Sequence, residues 1–390
     1  MNRTNRSRRL PFTPLPLADH KYTTPARIPC AQAIVTFLSV TCLLSGCKED
    51  GVGPTQPVPA GRKVKLSVAS EFQMNLPVLG TTLQHMASRL DTASNGMITM
   101  KIYDPGELVP KLETLNAVSE GKVDVAYSTA GYWAGKLPAS PLFSSVPFGP
   151  EASEYLAWIY EGNGMKLYQQ MYDRSGFNVK VFVCTILPPE TSGWFANPIE
   201  TPDDLKGLKM RFFGLGGRVM EKLDVTVTLL SSAEIFQALE KGRIDATEYS
   251  LPTIDQKLGF YSIVKYNYYP GWHQQATLAE LLINKNVWNG LSADQQMLLD
   301  LVCRDGIVHS LAEGEGTQFT AMRQNVNEYG VINKYWSDEM IDLFRKSWEE
   351  VAESECGRDT FFKTVYDDLA QFRANYDLWK RNAFLPREQD

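Results

Sequence analysis

The chain has little cysteine and little histidine, six and four in 390 residues. No two cysteines stand in C-x-x-C spacing, so neither a zinc ribbon nor a dithiol redox centre is indicated. Lysine and arginine (39) fall short of aspartate and glutamate (45), and a net charge of −6 leaves no basic footprint for nucleic acid. The apolar run Ala33–Leu44 has 12 residues, against the roughly 20 needed to cross a bilayer. Hydrolase signatures are missing as well. There is no G-x-S-x-G elbow and no H-E-x-x-H helix, and the S-x-x-K match at Ser262–Lys265 lacks its S-D-N and K-T-G companions. An envelope hydrolase would have to work without any of these, and the expectation is that the protein is not an enzyme.

Glycine is abundant in one stretch, KMRFFGLGGRVMEKLD at 209–224. It is not a phosphate loop, because Arg218-Val219-Met220 follows where Gly-Lys-Ser/Thr is required. It is not a dinucleotide fingerprint either. Gly214 and Gly216 fit G-x-G-x-x-G, but position 219 is valine. What Arg211 is held against must come from elsewhere.

The first 46 residues carry six basic residues and one acid, followed by the short apolar run and then Leu44-Ser45-Gly46-Cys47. Basic region, apolar run and small residues mark an export signal. Leu-Ser-Gly-Cys is similar to a bacterial lipobox, so 1–46 is expected to be a signal peptide and Cys47 the lipidated N-terminus. Removing those residues from the 39 basic and 45 acidic leaves 33 and 44, a net charge of −11. Residues 47–61 are rich in Pro, Gly and polar groups and too poor in apolar surface to order themselves. They read as a flexible tether to a membrane lipid. Cys184, Cys303 and Cys356 are expected to be free thiols.

The body is α/β. KVKLSVAS and MITMKIYD (97–104) alternate as strands, and 80–93 repeats apolar residues at helical spacing through Leu83, Met86 and Leu90. Two later stretches match each other, LNAVSEGKVDVAYST at 115–129 and FQALEKGRIDATEYS at 236–250. Each runs helix, glycine, basic residue, β-branched residue, Asp (Asp124, Asp245), strand. The strands are expected at Val123–Ser128 and Ile244–Tyr249. Glycine at 121 and 242 suits a left-handed helix terminus. One αβ unit in each half of the chain implies two lobes. Ligands of open α/β sheets lie beyond the carboxyl ends of the strands. That rule picks out Tyr127–Thr129 and Tyr132–Trp133 in one lobe, and Arg211–Phe213 and Glu248–Tyr249 in the other. An exported, tethered, two-lobed body is the pattern of a binding protein.

From about residue 64 to about 385 the chain resembles the DctP-type solute-binding proteins of TRAP transporters. The motifs that carry the resemblance are GELVP (106–110), YWAGK (132–136), VPFG (146–149), DDLKGLKMRFFGLGGRVMEKL (203–223), LEKGRIDATEY (239–249), KLGFY (257–261) and YYPGW (268–272). The last two, with a long tail ending in Leu378-Trp379, are similar to the branch that binds 2-oxo acids and related monocarboxylates.

The resemblance implies a two-lobed periplasmic binding protein fold with a ligand cleft between the lobes. It also implies that Arg211 pairs with the ligand carboxylate, a role the planar, always charged guanidinium fits. A cation, Na⁺ or Ca²⁺, would bridge protein oxygens and the ligand. The family's Glu-Trp pair falls on Glu248-Tyr249, with Tyr249 offering its carbonyl. Its glutamine before Gly-Trp-Phe falls on Glu190, and its PGWWE falls on PGWHQ, placing Gln274 where a glutamate is usual. Gln and Glu are thus exchanged between positions 190 and 274, which leaves the carboxylate count unchanged. Glu190 also stands beside the ligand, and Tyr132, Trp133, Phe213 and Trp272 are expected to wall the pocket. Hard oxygens suit Na⁺ or Ca²⁺ better than zinc.

The expected organisation is lobe 1 from 62–178 and 275–320, lobe 2 from 179–274, and C-terminal helices over 321–390. The helical tail is expected to pair two subunits as a homodimer. Partners are a small carboxylate and the small and large TRAP membrane subunits, in the periplasm. The rival reading is a ligand-sensing ectodomain that works with a membrane sensor. Of the histidines beyond the signal, His85, His273 and His309, His273 lies nearest the expected cleft.

Overall fold

The computed structural model describes residues 62–385. The expected signal, Cys47 and the 47–61 tether lie outside the described residues.

Among the described residues the strands form two sheets. The first holds β1 (Val64–Ser70), β2 (Ile98–Tyr103), β3 (Val125–Ser128), β4 (Val179–Leu187) and β10 (Thr277–Asn284), in the order β2-β1-β3-β10-β4. The second holds β5 (Gly193–Phe195), β6 (Lys209–Arg211), β7 (Thr226–Thr228), β8 (Ala246–Thr247), β9 (Tyr266–Tyr269) and β11 (Ile332–Tyr335), in the order β11-β9-β5-β8-β6-β7. β1 runs parallel to β2 and β3, and β6 parallel to β7 and β8. Helices α1 (Leu79–Ala93), α2 (Thr114–Ser119), α3 (Ala152–Tyr160) and α4 (Gly164–Arg174) belong to the first half. Next come α5 (Gly214–Lys222), α6 (Ser232–Glu240), α7 (Pro252–Leu258) and α8 (Lys285–Asn289). The chain ends with α9 (Ala293–Asn327), α10 (Asp338–Arg358) and α11 (Thr360–Ala383).

The two matching stretches are structural equivalents. Gly121 and Gly242 both take positive φ, 76° and 62°, at the ends of α2 and α6. The carboxylate of Asp124 accepts from the backbone N–H of Ser67 in β1 (2.8 Å), and that of Asp245 from Lys209 in β6 (3.0 Å). Each aspartate ties its strand to the parallel strand beside it. Both strands are shorter than the spacing predicts, Val125–Ser128 instead of Val123–Ser128 and Ala246–Thr247 instead of Ile244–Tyr249.

Two boundaries differ from expectation. β4 was expected to open lobe 2, yet it pairs antiparallel with β10 along its length and belongs to the first sheet. The chain therefore crosses over between Leu187 and Gly193, not at 178/179. The apolar run of β4 fits a central strand equally well in either sheet, and only its partner β10 decides. The tail is not wholly helical, because Ile332–Tyr335 adds a parallel edge strand to β9.

α9 starts with Ser292, whose hydroxyl accepts from Gln295 N–H in a capping box. Its first half lies on β4, where Gly306 permits the approach: a Cβ there would sit 2.5 Å from the Cys184 carbonyl oxygen. Its second half is fastened to α7 of the other lobe. Gln318 Oε1 accepts from Thr253 N–H, and Gln256 donates to Asn325, both at 3.0 Å.

Of the last two helices, α11 lies on the first lobe, while α10 lies on the second and reaches the first through Arg345, 4.2 Å over the Phe148 ring. α10 is held to α5 by Lys222–Glu350 (2.6 Å), and its Phe344 stacks on Trp272 at 4.6 Å. α11 is held to α3 by Trp158 Nε1 donating to Asp368 (2.8 Å) and by Arg373–Glu154 (3.0 Å). They join at Asp359, whose carboxylate caps α11 through Phe362 N–H.

Candidate functional site

The carboxyl ends of β1, β3, β6 and β8 converge on a cavity of about 30 Å³. Phe72, Leu79, Leu187 and Ala279 form an apolar side. Arg211, Glu190, Gln274, Thr277 and Tyr249 face it with polar groups.

Arg211 ends β6 and is 1% exposed. Its Nη1 donates to Glu248 Oε2 (2.6 Å) and to the Glu248 carbonyl oxygen, and its Nε donates to the Leu230 carbonyl (3.3 Å). Its guanidinium lies 5.1 Å from the Tyr249 ring centre. The second oxygen of Glu248 accepts from the Phe213 N–H (3.0 Å). Sequence reasoning assigned Arg211 to the ligand and Glu248 to a cation; the structure brings the two together as one buried ion pair. Burial pushes the Glu248 carboxyl up, and Arg211 and the Phe213 N–H pull it back.

Glu190 lies on the crossing after β4, beside Gln274 on the crossing before β10. Glu190 N–H donates to the Gln274 carbonyl (3.2 Å). Thr277 orients both side chains: its hydroxyl donates to Glu190 Oε1 (2.8 Å) and accepts from Gln274 Nε2 (2.7 Å). Glu190 Oε2 and Gln274 Oε1 are then left buried with no hydrogen-bond partner. Such orphaned oxygens are costly in a protein interior. A hard cation ligated by oxygen fits this pair. Among the described residues no three Asp, Glu, His or Cys side chains gather as a metal cluster, so backbone and amide oxygens would complete such a shell. Burial, then the charge of Glu248, drives the Glu190 carboxyl well above the usual range.

Of the expected aromatic walls, Tyr132 and Phe213 line the cavity and meet edge to face at 5.1 Å. Trp133 and Trp272 do not line it. Trp133 turns into the first lobe, where its Nε1 donates to buried Glu280 (2.8 Å) alongside Tyr168 and Tyr172. Trp272 is stacked between Phe148 and Phe344. In each case a core partner claims the ring. His273 is buried against Phe212 and does not line the cavity; burial and then Arg211 push its imidazole down to about 3.

Sequence reasoning missed Thr277, Phe72 and Ser250. Phe72 follows the end of β1, so the strand-end rule applied to that strand would have found it. Behind the site Asp255 is buried, accepting from Trp194 Nε1 (2.9 Å) and Ser250 N–H (3.1 Å). Burial pushes its carboxyl up to about 7.

Two sheets closing on a buried arginine define a two-lobed binding protein. Residues 69–354 match the family model for bacterial extracellular solute-binding proteins, family 7, DctP. A monocarboxylate 2-oxoacid-binding periplasmic protein of a Nostoc species is 34% identical over 305 residues, 78% of this chain and 83% of that protein. Among solved structures, a TRAP transporter solute-binding protein from Bordetella bronchiseptica superposes with TM-score 0.80 at 27% identity, covering 83% of this chain and 95% of that one. It is a dimer with calcium and picolinate bound in one site. A TRAP periplasmic solute-binding protein from Pseudoalteromonas atlantica, with sodium and pyruvate, gives TM-score 0.79 at 28% identity, covering 83% and 97%. The chain belongs to the DctP family of TRAP solute-binding proteins.

Proposed function

We propose that this receptor captures a small monocarboxylate, a 2-oxo acid such as pyruvate or a 2-hydroxy acid, through Arg211 and a bound Na⁺ or Ca²⁺. The observation that carries the reading is the buried Arg211–Glu248 pair beside two orphaned oxygens. The pair is neutral as it stands. A ligand carboxylate entering the cavity brings a negative charge that the pair does not balance. Glu190 Oε2 and Gln274 Oε1 would hold a cation: Ca²⁺ would balance the ligand and the Glu190 carboxylate together, Na⁺ one of the two, and either would attract the ligand's remaining oxygens. Arg211 offers the carboxylate a planar donor fork, Thr277 holds the two oxygen ligands in register, and Tyr249 contributes its carbonyl. Phe72, Leu79, Leu187 and Ala279 receive the alkyl end. No other lysine, arginine or histidine lines the cavity among the described residues, so a second carboxylate would find no partner.

The protein works by binding and closing, and it passes its cargo to the small and large TRAP membrane subunits. The signal and Cys47 make it a lipid-tethered periplasmic protein. Exposed Leu378, Trp379 and Phe384 on and after α11 support pairing of two copies through the tail; a monomeric mass by light scattering at micromolar concentration would remove that part.

The test is thermal unfolding of residues 48–390 against monocarboxylates, dicarboxylates, sugars and amino acids, with chelator, Na⁺ or Ca²⁺. A true ligand at about a hundred times its Kd adds about 2.7 kcal/mol. A shift with 2-oxo or 2-hydroxy monocarboxylates that needs the cation is expected. No shift with any acid would overturn the reading.

A further inference from the structure

Phe213 and Gly131 meet across the cleft. Phe213 belongs to the second lobe, two residues beyond Arg211. Gly131 belongs to the short 3-10 turn Ala130–Trp133 that follows β3 in the first lobe. A Cβ built on Gly131 would lie 2.2, 2.8 and 3.0 Å from Cζ, Cε1 and Cε2 of Phe213. The ring therefore points end-on at the glycine. Ordinary carbon contacts lie at about 3.5–4.0 Å, so an added methyl would push the ring back by roughly 1.3 Å or more.

Two observations show that space, not backbone, demands glycine here. Gly131 has no positive φ, so its turn is open to any residue. The atoms that fill its missing side chain belong to the other lobe. The Phe213 backbone is also fixed. Its N–H is held by Glu248, the carboxylate that holds Arg211, and its ring is braced edge-on by Tyr132.

We infer that Gly131 is a positioning residue for ligand capture: it is the socket that Phe213 enters when the lobes close, and it sets how far they close over the ligand. This rests on the capture-by-closure reading above. The ring's place follows from the ion pair, because one carboxylate fixes both the guanidinium and the Phe213 backbone. The carboxylate that places Arg211 thus also places the base of the ring that enters the socket. With the ring held out by a methyl, the cavity stays open at the Tyr132 side and admits water beside the ligand.

The experiment compares wild type, Gly131→Ala, Phe213→Leu and the double variant. Pyruvate binding is measured by calorimetry with Ca²⁺ present, and lobe closure by small-angle X-ray scattering. Scattering is repeated without ligand in about 1 M trimethylamine N-oxide, an excluded osmolyte that favours burial of surface. Gly131→Ala is expected to unfold at the wild-type temperature without ligand, to weaken pyruvate binding at least tenfold, and to compact less than wild type with pyruvate or osmolyte. The double variant, with a shorter plug, is expected to recover part of both losses. Wild-type affinity and compaction in Gly131→Ala would overturn the proposal, as would a double variant no better than the single. If wild type ignores pyruvate but compacts in osmolyte, the substrate reading fails for that acid and the osmolyte series alone decides the socket. A wild type that compacts in neither condition would leave Gly131 nothing to gate, and the proposal would fall.

Discussion

Arg211 and Glu248 form an ion pair at 2.6 Å with side chains 1% and 0% exposed. Removing one partner of such a pair strands a buried charge and costs about 3–5 kcal/mol. Arg211→Ala should therefore lower the melting temperature, and by removing the proposed partner of the ligand carboxylate it should weaken binding at least about a hundredfold, or about 2.7 kcal/mol. Arg211→Lys keeps the charge and loses the fork, and should restore stability more than affinity. Calorimetry and thermal unfolding on the same samples separate the two effects. Unchanged binding in Arg211→Ala would end the proposed role.

Glu190 and Gln274 hold their orphaned oxygens through a common hydroxyl, Thr277. Thr277→Val removes the hydroxyl at nearly constant volume and should reduce the cation dependence of binding while leaving the fold intact. Glu190→Gln should lower cation affinity at least tenfold, about 1.4 kcal/mol, read by titrating Ca²⁺ into chelator-treated protein in excess pyruvate. If both variants keep wild-type cation dependence, the cation is held elsewhere.

Asp255 gives a pH signature. Its carboxyl is raised by burial to about 7 from 3.8, so the folded protein keeps this proton after the unfolded chain has lost it. Stability from this group is present below about pH 4 and is lost as pH rises through about 7. His273 works in the opposite sense, since the unfolded chain takes a proton near 6.5 that the buried ring refuses until about 3. Asp255→Asn should be more stable than wild type at pH 8, by an amount about 2–4 kcal/mol larger than at pH 4. Denaturant melts at the two pH values measure it, and parallel pH dependence in the two proteins would refute it.

Trp133 was expected beside the ligand and instead donates to Glu280, which is 0% exposed. Trp133→Phe leaves that carboxylate one donor short and should cost about 1–3 kcal/mol of stability, with pyruvate affinity within about threefold of wild type. A large loss of affinity at unchanged stability would put the indole back in the pocket.

Much of this was legible in the sequence because it is local. The repeated helix–glycine–Asp–strand unit needs only spacing and turn chemistry, and Asp124 and Asp245 prove to make the same bond in each lobe. What was not legible depends on distant partners. β4 reads as a buried strand, and nothing within Val179–Leu187 says that β10 claims it. Tyr132 and Trp133 are adjacent on one short turn, so periodicity could not tell which ring faces the ligand. The Glu248 bond to Arg211 joins residues that resemblance assigned to opposite charges of a ligand complex. Position along the chain marked both as site residues, but not that they neutralise each other.

α11 grips the first lobe through Asp368 and Arg373, and α10 grips the second through Glu350 and Phe344 while laying Arg345 over Phe148 of the first. The two helices turn at Asp359 and pack on each other, Trp348 meeting Tyr366 edge to face at 6.2 Å. A swing of one lobe against the other would have to slide Arg345 over Phe148 or strain that helix pair. Closure of the lobes, as proposed, would thus be registered at an outer helix pair that no ligand touches.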